Sequence, residues 1–188
     1  MCSSDLNIRV DLRKSDVVRV INAKGTVDVK GRGQDVELEN IGGAATINGQ
    51  YSGELKFRNL AKPFRLDSQN TNIRVERIDG ELELSHGQLS GRRFTGPVQI
   101  QSKSKDIELS DFTNTIDIDV DKGDIQLRPA RPALSKISAR SRAGNVELVL
   151  PTGAKLDLRA EVKRGGIDNE YGFPFTVKED GQIGRAHV

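Results

Sequence analysis

A short pattern of alternating polar and apolar residues recurs along the chain. Its first and third residues are polar, and its second and fourth are Val, Ile, Leu or Phe. Successive side chains of a β-strand point to opposite faces, so the pattern predicts strands with one buried and one solvated face. The six clearest copies are residues 35–38, 54–57, 81–84, 106–109, 124–127 and 145–148.

The copies are separated by residues that favour tight turns, such as Gly31-Arg-Gly33, Asn48-Gly49 and Lys122-Gly123. No segment combines a helical apolar period with caps. Residues 133–142 come closest, and Pro129 and Pro132 precede them, so we interpret them as a loop and a strand. The sequence therefore predicts an all-β protein.

The spacing of the copies favours a single β-solenoid. Their starts are 19, 27, 25, 18 and 21 residues apart, and a solenoid coil needs about 20 residues with two or three short strands. We expect strands of three to five residues and an aliphatic core, with loops or an extra strand in the longer intervals. The alternative is a β-sandwich, whose strands are usually longer and whose core uses more aromatic residues.

The two ends of the chain resemble translated nucleic-acid adapter. Residues 1–6 and 183–188 correspond to one short-read sequencing adapter in opposite orientations, so we set both hexapeptides aside. We expect residues 7–182 to be a fragment of a single β-solenoid domain. The only cysteine of the chain, Cys2, lies in the first hexapeptide, and His86 is then the only histidine.

Residues 143–160, AGNVELVLPTGAKLDLRA, followed by Gly165-Gly-Ile167, resemble a family of bacterial domains labelled as adhesins. The family pattern is Gly-Asp-Val-x-Leu-x-Leu-Pro, then Ala-x-Leu-x-Leu-x-Ala, then Gly-x-Ile. Here Asn145 replaces the common Asp, and Gly166 shifts the last turn. The resemblance covers about residues 20–172. It implies a β-helix-like domain of unknown function, extracytoplasmic or on the bacterial cell surface, and the adhesin label is itself inferred from architecture.

Asp117, Asp119 and Asp121 are the candidate metal ligands. Calcium prefers carboxylate oxygens, and a glycine turn follows at Gly123. A standard calcium loop has Gly sixth and Glu twelfth, whereas here Gly is seventh and Arg128 is twelfth. On a strand the three carboxylates would share one solvated face. We therefore predict no metal site. If the chain does bind a cation, these three aspartates are the candidate ligands.

A basic stretch is the candidate ligand patch. No acidic residue lies between Asp124 and Glu147, and arginine binds carboxylate and phosphate groups through its planar fork. An anionic glycan or another cell-surface polymer could bind there. No aromatic residue is interleaved to stack bases, which argues against specific nucleic-acid binding. The patch consists of Arg128, Arg131, Lys136, Arg140 and Arg142.

No catalytic set is recognisable. His86 lies in a predicted turn and lacks a sequence-defined partner for acid–base work. Ser102 and Lys105 match a Ser-x-x-Lys spacing, but on a strand they would point to opposite faces. We therefore expect no catalytic residue, no cofactor and no enzymatic activity.

Three functions are compatible with these features. The first is a surface-displayed structural or binding domain, with an adhesive role and an anionic polymer as ligand. The second is a self-assembling β-helical scaffold, because the open ends of a solenoid can associate. The third is a polysaccharide-active β-helix enzyme, which the scarcity of aromatic residues (4%) disfavours.

Overall fold

The computed structural model describes residues 6–131, 136–153, 157–161, 176–178 and 183–187. Strands and turns make up these residues, and no helix is present among them. The strands are β1 (Ile8–Ile21), β2 (Val27–Ile41), β3 (Ala45–Tyr51), β4 (Leu55–Leu60), β5 (Phe64–Ser68), β6 (Thr71–Leu84), β7 (Gln88–Ser104), β8 (Asp106–Phe112), β9 (Ile116–Lys122), β10 (Ile125–Pro129), β11 (Ile137–Ser141), β12 (Val146–Leu148), β13 (Asp157–Glu161), β14 (Thr176–Lys178) and β15 (Ile183–His187).

The first twelve strands form a β-solenoid of about eight turns, with about 18 residues in each turn. Val27 pairs in parallel with Ala45 of the next coil, and Ala45 pairs in the same way with Phe64 of the coil after it. The predicted solenoid is confirmed, and the sandwich alternative is wrong. The coil is slightly shorter than the expected length of about 20 residues. The two longest intervals of the sequence pattern, 27 and 25 residues, do not each correspond to one coil, so they make the average spacing too long.

Each coil contributes one stretch to each of two faces. Face A comprises residues 8–12, 27–31, 45–49, 64–68, 71–75, 98–102, 116–120 and 137–141. Face B comprises residues 17–21, 36–41, 55–60, 78–84, 89–94, 107–112, 125–129 and 146–148. In the forward coils the chain passes from face A to face B at the first corner, as at residues 32–35, and returns at the second corner, as at residues 42–44. β6 runs the other way and passes from face A to face B at the second corner.

The strands are longer than expected. β2, β6 and β7 span 15, 14 and 17 residues, because their pairing continues around a corner from one face to the other. Residues with a left-handed backbone lie at the corners, and the bend in β7 contains two of them, Arg93 and Gly96, with φ of 56° and 91°. At the second corner, Asn40 and Asn59 have φ of 55° and 50°, and asparagine tolerates that conformation better than most residues. Their side chains also bond to each other, Asn59 Nδ2 to Asn40 Oδ1 at 3.0 Å.

One coil runs in reverse. β6 is antiparallel to β4, β5 and β7, whereas the other paired strands of the solenoid are parallel within the described residues. A tight turn at Ser68–Thr71 starts the reversal, and a second at Ser85–Gln88 ends it, where the Ser85 amide donates to the Gln88 carbonyl at 2.9 Å. The reversed coil accounts for the two longest intervals in the sequence pattern.

A single apolar core lies between the two faces, built from the inward residues of both. Val29, Leu38 and Ile47 are fully buried, as the alternation predicts. The core is not purely aliphatic, however. Phe57 and Phe64 pack with ring centroids 4.4 Å apart beside the reversed coil, and Phe94 and Phe112 are also buried.

A separate antiparallel sheet comprises β13, β14 and β15. β15 lies within the C-terminal hexapeptide that resembles adapter. The solenoid itself does not pair with this sheet among the described residues.

Candidate functional site

The five residues of the predicted basic patch wind around one coil. Arg128 lies on face B, where its Nη1 is 3.9 Å from Glu108 Oε1, and Arg142 lies at the first corner, where its Nη1 is 3.1 Å from Asp121 Oδ1. Arg131 and Lys136 are exposed at the second corner, and Arg140 lies outward on face A. The structure therefore does not place the five side chains on one surface.

The three candidate metal ligands lie on the solvated side of β9, as expected from the alternation. Asp117 and Asp121 are exposed and Asp119 is half-buried. Asp121 is paired with Arg142. No three His, Cys, Asp or Glu side chains come together to hold a metal ion in the part of the chain that the structure describes.

The structure places His86, Ser102 and Lys105 in different surroundings. His86 is exposed in the turn between β6 and β7, as predicted. Ser102 is buried, with its hydroxyl 3.2 Å from that of Thr71. Lys105 Nζ instead donates to the His86 carbonyl at 3.3 Å and to that of Ser85, and burial lowers the pKa of this amine. Ser102 and Lys105 thus lie in different environments.

Charged residues on face B are paired from coil to coil. Glu81 lies between two arginines, with its carboxylate 2.8 Å from Arg92 Nε and 3.6 Å from Arg58 Nε. Arg58 Nη2 also lies 3.2 Å from Glu83 Oε1. These exposed pairs each contribute little to stability. Each of these charges is compensated by a neighbouring side chain of the same face.

Face A differs from face B over β6, β7, β9 and β11. Six outward polar side chains there make no side-chain hydrogen bond or ion pair to any described residue. They occupy neighbouring register positions, so they form one continuous surface, which we call the face A polar patch. Its members are Arg74, Gln99, Gln101, Asp117, Asp119 and Arg140.

The register shows how these side chains come together. Arg74 lies opposite Gln99, and Gln99 lies opposite Asp117 on the next strand. One pleat further along, Gln101 lies opposite Asp119, and Asp119 lies opposite Arg140. Neighbouring strands are about 4.8 Å apart, so the patch spans about 14 Å from β6 to β11.

An open groove of about 640 Å³ runs beside the patch, along the second-corner edge of face A. A second hollow of about 200 Å³ adjoins it and shares Gln99 and Asp117 with it. The larger groove is lined by Pro63, Phe64, Arg65, Arg74, Val75, Glu76, Pro97, Val98, Gln99, Thr115 and Asp117.

A β-bulge in β6 shapes this groove. The register shifts between Val75 and Arg77, so Glu76 and Arg77 are both exposed in succession. Gly96 has φ of 91°, and a Cβ there would collide with the Glu76 carboxylate. Glycine at this corner therefore allows the Glu76 side chain to lie against the backbone.

The sequence pattern does not single out Arg65, Arg74 or Glu76 as functional residues. The alternation of residues 72–75 does predict that Arg74 points outward. The direction of β6 is not encoded in the alternation, because the pattern is the same in either direction. The proximity of Arg65 and Arg74 follows only from the reversal.

A family model described as Toastrack DUF4097 matches residues 3–185. The chain belongs to this family. Toastrack DUF4097 domains are β-solenoid domains of unknown function, often labelled as adhesins, which confirms the resemblance drawn from residues 143–160 and 165–167. No curated protein and no solved structure matches this Toastrack DUF4097 chain significantly. Within the described residues, no helix has the length and apolar character needed to cross a membrane.

Proposed function

We propose that this Toastrack DUF4097 domain is a non-enzymatic binding domain, displayed outside the bacterial cytoplasm, that holds an anionic polymer on face A. The domain acts as a rigid surface, and its chemistry is recognition without covalent change. The adhesive role predicted from the sequence is one use of such a surface.

The contrast between the two faces carries this proposal. On face B, arginine and glutamate side chains satisfy one another across coils, as with Glu81 between Arg58 and Arg92. On face A, Arg74 and Arg140 lack such partners among the described residues, as do the amides and carboxylates between them. Exposed polar groups that are not paired internally can bond to a ligand without first breaking an internal ion pair.

The open shape of the surface supports a polymer as the ligand. The groove and the adjoining hollow lie side by side on a sheet face, and they form an open trough about 14 Å across the strands. A small-molecule site is usually concave and encloses most of its ligand. A trough of this kind instead suits a chain that extends beyond it at both ends.

The location outside the cytoplasm rests on the family to which the chain belongs, whose members are often labelled as adhesins. Fractionation of cells that express the epitope-tagged protein, with detection of the tag before and after protease treatment of intact cells, tests it. Protection of the tag in intact cells and its recovery with cytoplasmic proteins would contradict surface display.

A binding panel tests the function. Polygalacturonate, dextran sulfate and neutral dextran are immobilised, and binding of the purified chain is measured at two salt concentrations. We expect binding to at least one anionic polymer, weaker at higher salt because surface charges are screened, and none to dextran. Binding to no anionic polymer, or equal binding to dextran, would contradict the proposal. Release of reducing ends from polygalacturonate would contradict its non-enzymatic part.

Self-assembly is a second candidate, favoured by exposed apolar side chains on β1. Val17 and Ile21 are 58% and 44% exposed on the outward side of face B. Neighbouring exposed apolar side chains can associate with a second copy of the chain. Light scattering that rises with protein concentration, and falls when Val17→Lys is introduced, would support this candidate. A monomer at all concentrations would contradict it.

A further inference from the structure

The strongest unexplained feature of face A is a pair of opposed arginines. Arg65 on β5 and Arg74 on β6 are directly opposite each other, on the solvated side of an antiparallel pair. Side chains at such positions have Cβ atoms about 5 Å apart, and like charges there are unfavourable. Asp67 binds Arg65, with Oδ2 2.5 Å from Nε. Arg74 has no acidic partner among the described residues, so one positive charge at this pair is not neutralised within the protein.

An anion between the two guanidinium groups would relieve this repulsion. Arginine presents a planar fork of N–H donors, and carboxylate oxygens fit it bidentately. Both side chains also line the 640 Å³ groove, so an anion can reach them from solvent. Asp67 accepts from Nε of Arg65, so the Nη donors of Arg65 and the guanidinium of Arg74 are left for an anion in the groove, and the arginine pair is a candidate anion subsite.

The remaining groups in the groove restrict the kind of anion. Glu76 and Asp117 line the same groove, and each can accept hydrogen bonds from hydroxyl groups but repels additional negative charge. Pro63 and Pro97 supply apolar surface. The part of the ligand that lies in the groove therefore needs a single negative group, several hydroxyls and an apolar side.

We propose that this groove binds one acidic sugar residue of a polysaccharide, with its carboxylate between Arg65 and Arg74 and its hydroxyls on Glu76, Gln99 and Asp117. The inference rests on the proposed function, because it names the ligand class and the subsite for the polymer on face A. Sugar C–H groups lie against Pro63 and Pro97 in this arrangement.

Nucleic acids and densely sulfated polymers fit the groove less well. A densely sulfated sugar carries several negative groups, so at least one of them would lie close to the Glu76 and Asp117 carboxylates, and a nucleotide offers few hydroxyls for these carboxylates to accept from. Among the described residues that line the groove, none is an exposed aromatic side chain that could stack on a base. A uronate sugar also carries one negative charge, but its carboxylate can lie at the arginines while its free hydroxyls face Glu76 and Asp117, and it needs no stacking partner.

The test compares matched arginine substitutions. Arg74→Gln removes one charge from the subsite, and Arg92→Gln removes one exposed charge from face B. Affinity for polygalacturonate oligomers is measured by calorimetry. We expect Arg74→Gln to weaken binding by about tenfold, the loss of one charge-assisted hydrogen-bonded contact, and Arg92→Gln to change it by less than about twofold. Thermal melts check folding, and both proteins should melt close to the wild type because both side chains are exposed.

Glu76→Gln provides an independent readout. It keeps a hydrogen-bonding side chain of the same length and removes one negative charge, so dextran sulfate should bind more tightly to this variant than to the wild type. If polygalacturonate binds but Arg74→Gln and Arg92→Gln weaken it equally, or neither weakens it, the subsite is wrong and the broader function stands. If dextran sulfate binds and polygalacturonate does not, the uronate assignment is wrong. If no anionic polymer binds, the proposed function itself fails.

Discussion

Asp124 connects two successive coils through its side chain. Its Oδ1 accepts a hydrogen bond from the backbone amide of Asn145 at 2.7 Å, and its own amide donates to Asp106 Oδ1 at 2.9 Å. Asp35 does the same in the first half of the solenoid, where its Oδ1 accepts from the Glu54 amide at 2.8 Å. An aspartate at the start of the repeat, at Asp35, Asp106 and Asp124, is therefore a connector between coils at the first corner.

Asp124→Ala should lower the free energy of unfolding by about 1 kcal/mol, because one hydrogen bond from the Asn145 amide is lost and water replaces it in part. Chemical denaturation of the purified chain measures the change. Asp119→Ala is the matched control, since its outward carboxylate has no bond to a described residue, and we expect a change within about 0.5 kcal/mol. Equal effects of the two substitutions would show that the connector is not stabilising.

The glycine before the connector has a separate role. Gly123 has φ of 143°, and a Cβ there would collide with the Lys105 carbonyl of the preceding coil. Gly123→Ala should therefore destabilise the chain by about 2 kcal/mol, through backbone strain and separation of the coils. Gly87→Ala is the control, because no atom lies within 4 Å of a Cβ at that exposed turn. Thermal melts compare them, and a Gly123→Ala variant as stable as Gly87→Ala would contradict this explanation.

Local pattern is sufficient to predict the solenoid but not its reversal. Inward residues such as Leu38 and Ile107 follow from alternation, because burial depends only on which side of the strand a residue occupies. The direction of β6 depends on two turns, at residues 68–71 and 85–88, whose effect appears only when the coils stack. In the sequence the reversal is visible only as two long intervals, which loops or an extra strand would explain equally well.

The candidate site is less predictable for the same reason. Proximity in sequence suggests that Arg128 and Arg140 share a surface, but the segment between them covers most of one coil, and the two residues lie on opposite faces. Residues one coil apart are instead neighbours, as Gln99 and Asp117 are. Arg65 and Arg74 are neighbours only because a hairpin joins their strands.

A second glycine is required by core packing. Gly91 is buried beside Phe94, and a Cβ there would collide with the Phe94 ring and lie 3.2 Å from Leu82 Cδ1. Gly91→Ala and Phe94→Leu should each destabilise the chain, the first by overpacking and the second by leaving a void. The double variant should lose less than the sum of the two, with a coupling of about 1 kcal/mol, because the smaller Leu makes room for the added methyl. Additive losses in a denaturation cycle would show that the two sites do not interact.

Asp79 makes the reversed coil sensitive to acid. Thr95 Oγ1 donates to Asp79 Oδ2 at 2.5 Å, and Arg77 Nε donates to Oδ1 at 2.6 Å, so the Thr95 hydrogen bond first and then Arg77 lower the pKa of this carboxyl below 3.8. A carboxyl whose pKa is lowered by folding stabilises the fold above its unfolded pKa, and this contribution is lost as the pH falls through the folded pKa. Thr95→Val should therefore raise the Asp79 pKa and reduce the free energy of unfolding at neutral pH. The difference in unfolding free energy between this variant and the wild type should narrow below pH 3.8.

Carboxyl NMR titration and denaturation at neutral and acidic pH measure both effects. Thr46→Val is the control, because Thr46 is at an outward position and its hydroxyl has no bond to a described residue. If the loss of stability caused by Thr95→Val is the same in acid as at neutral pH, the role of the Asp79 charge is contradicted.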